Sequence, residues 1–331
     1  MRLTTKNRRR AGVALALASI CAAGAAQARG DAWSGCHARA PEARIAACGE
    51  IIKHIDKESK HNKVTAYFNR ATAYTAKGAW DEALADFGKA LELDPKSATV
   101  LSGRSAAYRG KGDLASALQD ADAAVAANPK SVEALVGRGG LHFAKGEFDP
   151  AIADFSQAVK INPKYAAAYA DRALVERQKG DAEKALADYG EAVKWDKTAA
   201  PLIARGSFYL SKGDHDHAIE DLSEAIKRDP KSALAYGDRG VAFQGKGDVD
   251  RAIADYGEAV KLDPGLVPAY LNRAGAWRVK KDFEKAKADY EAALKVKPDS
   301  NSAKKGLDDV ARLLAKKASA AAPAAGETPK P

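Results

Sequence analysis

The clearest pattern along the chain lies in residues 247–264. Its apolar residues Ala252, Ile253, Tyr256, Ala259 and Val260 fall at i, i+1, i+4, i+7 and i+8, which is one face of an α-helix. Gly247 is suited to end a preceding helix in the left-handed region, and Asp248 to cap the new one. Pro264 disfavours helical geometry at Asp263, so the helix should stop there. Ala252 and Ala259 stand two turns apart on the apolar face and leave room for a second helix. One such helix cannot bury its face alone, so it implies a partner.

The same stretch recurs. The turn glycine returns as Gly78, Gly112, Gly146, Gly180, Gly213 and Gly247, with Lys281 in the seventh place. The first alanine returns as Ala83, Ala117, Ala151, Ala185, Ala218, Ala252 and Ala286, the second as Ala90, Ala124, Ala158, Ala192, Ala225, Ala259 and Ala293. A closing proline appears at Pro95, Pro129, Pro163, Pro230, Pro264 and Pro298, with Lys197 in the fourth place. The step is 34 residues, except for 33 between Gly180 and Gly213. Seven in-register copies over 64–298, with two helices in each, resemble the tetratricopeptide repeat family. The resemblance implies an all-α, right-handed α-solenoid of seven helix-turn-helix repeats. It speaks for the fold and says little about function.

Each unit opens near Val64, Ala98, Val132, Ala166, Ala199, Ala233 and Val267. A bulky anchor follows (Tyr67, Leu101, Leu135, Tyr169, Leu202, Tyr236, Tyr270), then a small residue four later (Ala71, Ser105, Gly139, Ala173, Gly206, Gly240, Ala274). Where the family usually has an aromatic, the third and fourth units carry His142 and Glu176. One charge pair recurs in all seven: Arg70 with Asp86, Arg104 with Asp120, Arg138 with Asp154, Arg172 with Asp188, Arg205 with Asp221, Arg239 with Asp255 and Arg273 with Asp289. A ligand seldom shares the period of its scaffold, so these pairs read as partly buried locks between helices. The fourth unit ends irregularly at Trp195-Asp196-Lys197-Thr198, which reads as a hinge or as tolerated drift.

Composition changes the picture at the ends. The formal charge of +9 includes Arg2, Lys6, Arg8, Arg9 and Arg10, in a 28-residue start that holds no acid; without them the balance is 48 basic to 44 acidic. That start has a basic head, an apolar run from Ala11 to Ala26 and an Ala26-Gln27-Ala28 site. It reads as a Sec-type signal peptide (1–28) cleaved after Ala28, and places the protein in the periplasm or outside the cell. Lipidation at Cys21 and a twin-arginine route through Arg8-Arg9-Arg10 fit less well. Cleavage leaves Cys36 and Cys48, an even pair that reads as one disulfide in an oxidising compartment, the other reading being two free thiols. A loop this short contributes roughly 2–3 kcal/mol.

The disulfide should tie a strand or loop onto a degraded half-repeat helix from Pro41 to about Ile55, making residues 29–63 an N-terminal cap. At the other end, Ala303, Leu307, Val310, Ala311 and Leu314 mark the apolar face of a capping helix within 299–317. Residues 318–331 lack bulky apolar side chains and read as a disordered tail.

No catalytic constellation, cofactor motif or metal set stands out, so no enzyme is expected. His215 and His217 flank Asp216 at a turn and read as solvated. Basic and acidic residues alternate on every helix, which leaves no nucleic-acid footprint. No segment beyond the leader suggests membrane insertion. Binding remains. The resemblance implies that first helices line a concave groove, placing there Phe68, Thr72, Ser102, Ala106, Arg109, Val136, Ala170, Leu174, Arg177, Ile203, Ser207, Val241, Leu271 and Arg278. The set is small and apolar with a few arginines, fit for an extended peptide or an amphipathic helix of another protein. It lacks the dense Lys/Asn set with which some family members clamp a terminal carboxylate. The expected role is a scaffold or adaptor; the alternative is a structural part of a cell-envelope or polysaccharide-export assembly.

Overall fold

The computed structural model describes residues 30–321. The expected leader with its cleavage site, and residues 322–331 of the expected tail, lie outside the described residues. All regular elements among the described residues are helical. A short helix α1 (30–36) and α2 (Pro41–Lys53) precede seven pairs. These are α3 (Lys60–Ala76) with α4 (Trp80–Leu93), α5 (Ala98–Lys111) with α6 (Leu114–Ala127), and α7 (Val132–Ala144) with α8 (Phe148–Ile161). There follow α9 (Ala166–Lys179) with α10 (Ala182–Trp195), α11 (Ala200–Ser211) with α12 (His215–Arg228), α13 (Ala233–Gly245) with α14 (Val249–Leu262), and α15 (Val267–Val279) with α16 (Phe283–Val296). A last helix, α17 (Asn301–Ala321), packs on α16.

The chain forms two compact units, the first ending at Lys164 and the second beginning at Tyr165. In the first, α3, α5 and α7 lie side by side; in the second, α11, α13 and α15 do. All fourteen periodic alanines of the second helices are fully buried. Their small side chains let the two helices of a repeat approach, and the first helix answers with small residues of its own. A Cβ on Gly206 would stand 2.8 Å from Leu222 Cγ, and one on Gly240 2.7 Å from Tyr256 Cε1. Those two positions require glycine because a large side chain of the second helix fills the space. In the second repeat the small Ala121 stands at the place of Leu222 and Tyr256, Ser105 replaces the glycine, and its buried hydroxyl donates to the Ala117 carbonyl at 2.7 Å.

The helix ends follow the same chemistry. Asp113, Asp181, Asp214, Asp248 and Asp282 each accept a backbone N–H three residues on, at 3.0–3.2 Å, capping α6, α10, α12, α14 and α16. Every turn glycine has a positive φ, from 72° to 89°. Lys281 holds the same turn at φ 60°, the one non-glycine residue to do so among those described. A side chain in that region costs about 1 kcal/mol or more. Lys281→Gly should therefore raise stability by about 1 kcal/mol, read as a higher urea midpoint at unchanged slope.

The fourth repeat stops without its proline. Asp196 takes an extended conformation (φ −100°, ψ 118°), and its Oδ1 accepts the Thr198 N–H at 2.8 Å. Asn128, Asp229 and Asp263 make the same local turn at other repeat ends. This side-chain turn is enough to end α10 where Lys197 replaces proline. The following helix, α11, has only 12 residues and no side-chain cap. Its approach to α9 is slight beside that of α11 to α13. The irregular junction lies inside the second unit, away from the division at Lys164.

Two expectations about the ends change. The segment carrying Cys36 is the short helix α1, where a strand or loop was expected. Helix α3 begins one turn ahead of Val64, because Ser59 caps it by accepting the Asn62 N–H at 3.2 Å. The capping helix runs past Lys317 to Ala321, into the stretch read as a tail. Ala318, Ser319, Ala320 and Ala321 contain no glycine or proline, and alanine has the highest helix propensity, so nothing stops the helix there.

Candidate functional site

The recurring charges are committed to the scaffold. In every repeat the Arg of the first helix donates through Nε and Nη2 to both oxygens of its Asp, at 2.6–2.9 Å. The seven Asp residues are buried, and the Arg side chains keep only a fifth to a quarter of their surface. The carboxylate's hydrogen bonds hold each guanidinium's proton more tightly than usual, against the opposing effect of burial. The remaining nitrogen turns to the preceding repeat. Arg138 Nη1 reaches Asp122 at 3.0 Å, and Arg239 Nη1 reaches Ser223 at 3.1 Å. The pairs thus join helices within a repeat and also touch the neighbouring one.

What does not recur lies on the first-helix face. In the first unit, Ser102, Ala106 and Arg109 of α5 line a shallow cleft with Ser105, Gly137 and Leu141. The cleft exists because α7 offers Gly137 and Gly140 there. A Cβ on Gly137 would meet nothing within 4 Å, and one on Gly140 would lie 3.8 Å from Arg109 Nη1. Arg109 is exposed, and Val136 is half-buried beside the cleft's Gly137. Phe68 is drawn partly into the core, its ring 5.9 Å from that of Phe87. Thr72 is taken up by the cap: Arg44 donates to its Oγ1 at 3.3 Å and to the Ala38 carbonyl at 2.8 Å. Cys36 and Cys48 form a disulfide with both residues fully buried, and the Asn69 amide faces Cys36 Sγ. The cap therefore closes the end of the first unit's face over α3.

In the second unit, Leu174 is half-buried and Arg177 exposed on α9, with the small Ala170 one turn before Leu174. Ile203 on α11, Val241 on α13 and Leu271 on α15 lean on the core clusters beneath them. Arg278 is exposed near the end of α15. The structure adds Asp238, which the sequence reading passed over because it sits beside the periodic Arg239. Its Oδ2 accepts from Ser207 Oγ at 2.5 Å, linking α13 to α11. Burial pushes its carboxyl above the usual range, and the Ser207 hydrogen bond only partly opposes this. The signal that could have found it is its irregularity: the same place in other repeats holds Asn69, Gly103, Gly137, Asp171, Ala204 and Asn272.

Two buried side-chain atoms among the described residues, Tyr189 Oη and His215 Nδ1, have no hydrogen-bond partner. His217 pairs with Asp214 at 2.7 Å and stacks on Tyr209, with ring centroids 5.1 Å apart. The His215 ring lies against Gly245 of the next repeat, as Trp80 lies against Gly110. The two histidines thus serve their own turn and the next helix. Among the described residues no group of three His, Cys, Asp or Glu is placed to hold a metal ion. No helix among them is long and apolar enough to cross a membrane.

Family models described as tetratricopeptide repeat match residues 64–97, 103–166, 142–201, 203–267 and 267–300. A search of curated proteins gives no match. Among solved structures, yeast Tom70 is similar at 17% identity and a TM-score of 0.61, over 86% of this chain and 61% of that one. Cut9, solved with Hcn1 as a hetero-tetramer of the APC/C, is similar at 16% identity and 0.58, over 80% of this chain and 52% of that one. A tetratricopeptide repeat protein from Parabacteroides merdae ATCC 43184 is similar at 18% identity and 0.57, over 75% of this chain and 99% of that one. The chain thus spans about half of Cut9 and nearly the whole of the Parabacteroides protein. At these identities the likeness is one of fold.

Proposed function

We propose, for a chain that belongs to the tetratricopeptide repeat family, that it acts without catalysis as a scaffold or adaptor. It takes a peptide segment or helix of another protein on its first-helix face, in the periplasm or outside the cell. One observation carries the reading. The residues that recur are spent on packing and ion pairs, whereas the first-helix face of each unit is built from residues that do not recur. Selection for a partner leaves that kind of aperiodic surface on a periodic frame. The export half of the proposal is supported by the basic and apolar leader ending at Ala28, and by a disulfide in the mature segment.

The test uses a photo-reactive phenylalanine analogue placed in the cell at Ser102, in the cleft, or at Lys89, exposed on the second helix α4. The expected result is a partner adduct from position 102 that disappears in Arg109→Glu, with none from position 89. Adducts from both positions, or an adduct from 102 that survives Arg109→Glu, would overturn the groove reading and favour a structural role in an assembly. N-terminal sequencing of the mature protein checks the export half; it should begin at Arg29.

A further inference from the structure

Asp238 is a half-buried carboxylate that faces no cation. Its Oδ2 takes the Ser207 hydroxyl, and no Lys, Arg or His among the described residues pairs with either oxygen. Buried carboxylates are normally paired, because a lone charge loses its hydration without compensation. The neighbouring Arg239 is not available, since it is forked onto Asp255 and turns its third nitrogen to Ser223.

The scaffold does not require this arrangement. At three corresponding steps between packed first helices stand Thr72 with Gly103, Ala106 with Gly137 and Val241 with Asn272. None of these is a serine–carboxylate bridge, and those helices pack all the same. Next to Asp238 in the chain, a Cβ on Gly237 would touch only Leu266, at 3.9 Å, and Gly275 holds on α15 the place that Ser207 holds on α11 and Val241 on α13, where a Cβ would meet nothing within 4 Å. Ile203 and Val241 stand one turn away on α11 and α13, apolar and half-buried.

We propose that Asp238, held by Ser207, is the seat for a lysine or arginine side chain of the bound segment, the aliphatic stem lying along Ile203 and Val241 and the charged head reaching the carboxylate. The inference rests on the groove reading and deepens it, by giving the second unit a preference for apolar segments that carry one cation. A charge kept half-buried without a partner weakens the free protein and is repaired when the ligand's cation arrives.

The test is a display library of random 12-residue peptides selected on the full chain, with Gly275→Trp, at an open Cβ position on the same face of the next first helix, as the control that crowds the groove. Peptides held by the wild type and lost by Gly275→Trp should carry Lys or Arg at one fixed place beside an apolar residue. For the best such peptide, Asp238→Asn should lower affinity at least tenfold. Its norleucine analogue, lacking the charge, should bind Asp238→Asn and wild type alike. Asp238→Asn should melt no lower than wild type, since it removes an uncompensated charge. Selected peptides without cation preference would overturn the inference and leave the groove reading intact. So would equal loss of the lysine and norleucine peptides in Asp238→Asn, the mark of a brace between α11 and α13. If no peptide is sensitive to Gly275→Trp, the groove reading for this unit fails and the inference fails with it.

Discussion

Arg239→Ala should cost about 3 kcal/mol of stability, although it removes a side chain with a fifth of its surface in water. The loss comes from what stays behind. Asp255 is buried and accepts both its charged hydrogen bonds from Arg239, at 2.8 and 2.9 Å. Without them its charge has neither water nor a partner. The substitution also removes the bond to Ser223 and the packing of the guanidinium on Tyr236 and Phe243. One consequence separates this account from simple loss of packing. The double variant Arg239→Ala, Asp255→Ala should lose less than Arg239→Ala alone, because no carboxylate is stranded. Urea unfolding of the two variants reads the effect; a double variant that loses as much as the two single losses together would contradict the stranded charge.

Phe87→Ala should cost about 3–5 kcal/mol, the range for emptying a fully buried aromatic site. Phe87 lies beneath the first unit's face. It packs with Ala71 and Ala90 of its own repeat and with Val100 and Leu101 of the next, and its ring meets Phe68 at 5.9 Å. The next repeat makes room with Gly103, where a Cβ would stand 2.7 Å from the Phe87 ring. Gly103→Ala should therefore destabilise the wild type and stabilise the Phe87→Ala variant, where the added methyl enters the vacated space and helix propensity favours alanine. Additive effects in this double-mutant cycle would contradict the contact. Loss of Phe87 should also weaken the coupling of the first repeat to the second, because a repeat array draws its cooperativity from such neighbour contacts.

Much of the fold was legible because its physics is periodic. The turn glycines, the two alanines and the Arg–Asp pairs each repeat a packing problem with one solution, and seven copies made the solution visible. The ends were less legible for the same reason. Nothing repeats at Cys36, where a short helix replaced the expected strand or loop, or after Lys317, where alanines carry α17 further than composition suggested. The groove was legible as a surface and not as individual contacts. Thr72 proved to be engaged by Arg44 of the cap and Phe68 by Phe87, both long-range contacts that no local pattern announces. Asp238 was hidden by its periodic neighbour. Lys281 shows the converse: a departure from the repeat pattern in which the backbone kept the glycine conformation regardless.

The central claim is that recurrent residues hold the frame and irregular ones on the first helices do the binding. Helix α5 sets the two side by side with the same residue type: Arg104, forked onto Asp120 at 2.7 Å, and Arg109, exposed at the cleft. The most direct measurement is the yield of partner adduct from a photo-reactive residue at position 102, in Arg104→Ala and in Arg109→Ala, each held below its unfolding midpoint. The account predicts a near wild-type yield in Arg104→Ala, despite its lower midpoint, and a lost adduct in Arg109→Ala with the midpoint unchanged. An adduct that survives Arg109→Ala and is lost in folded Arg104→Ala would contradict it.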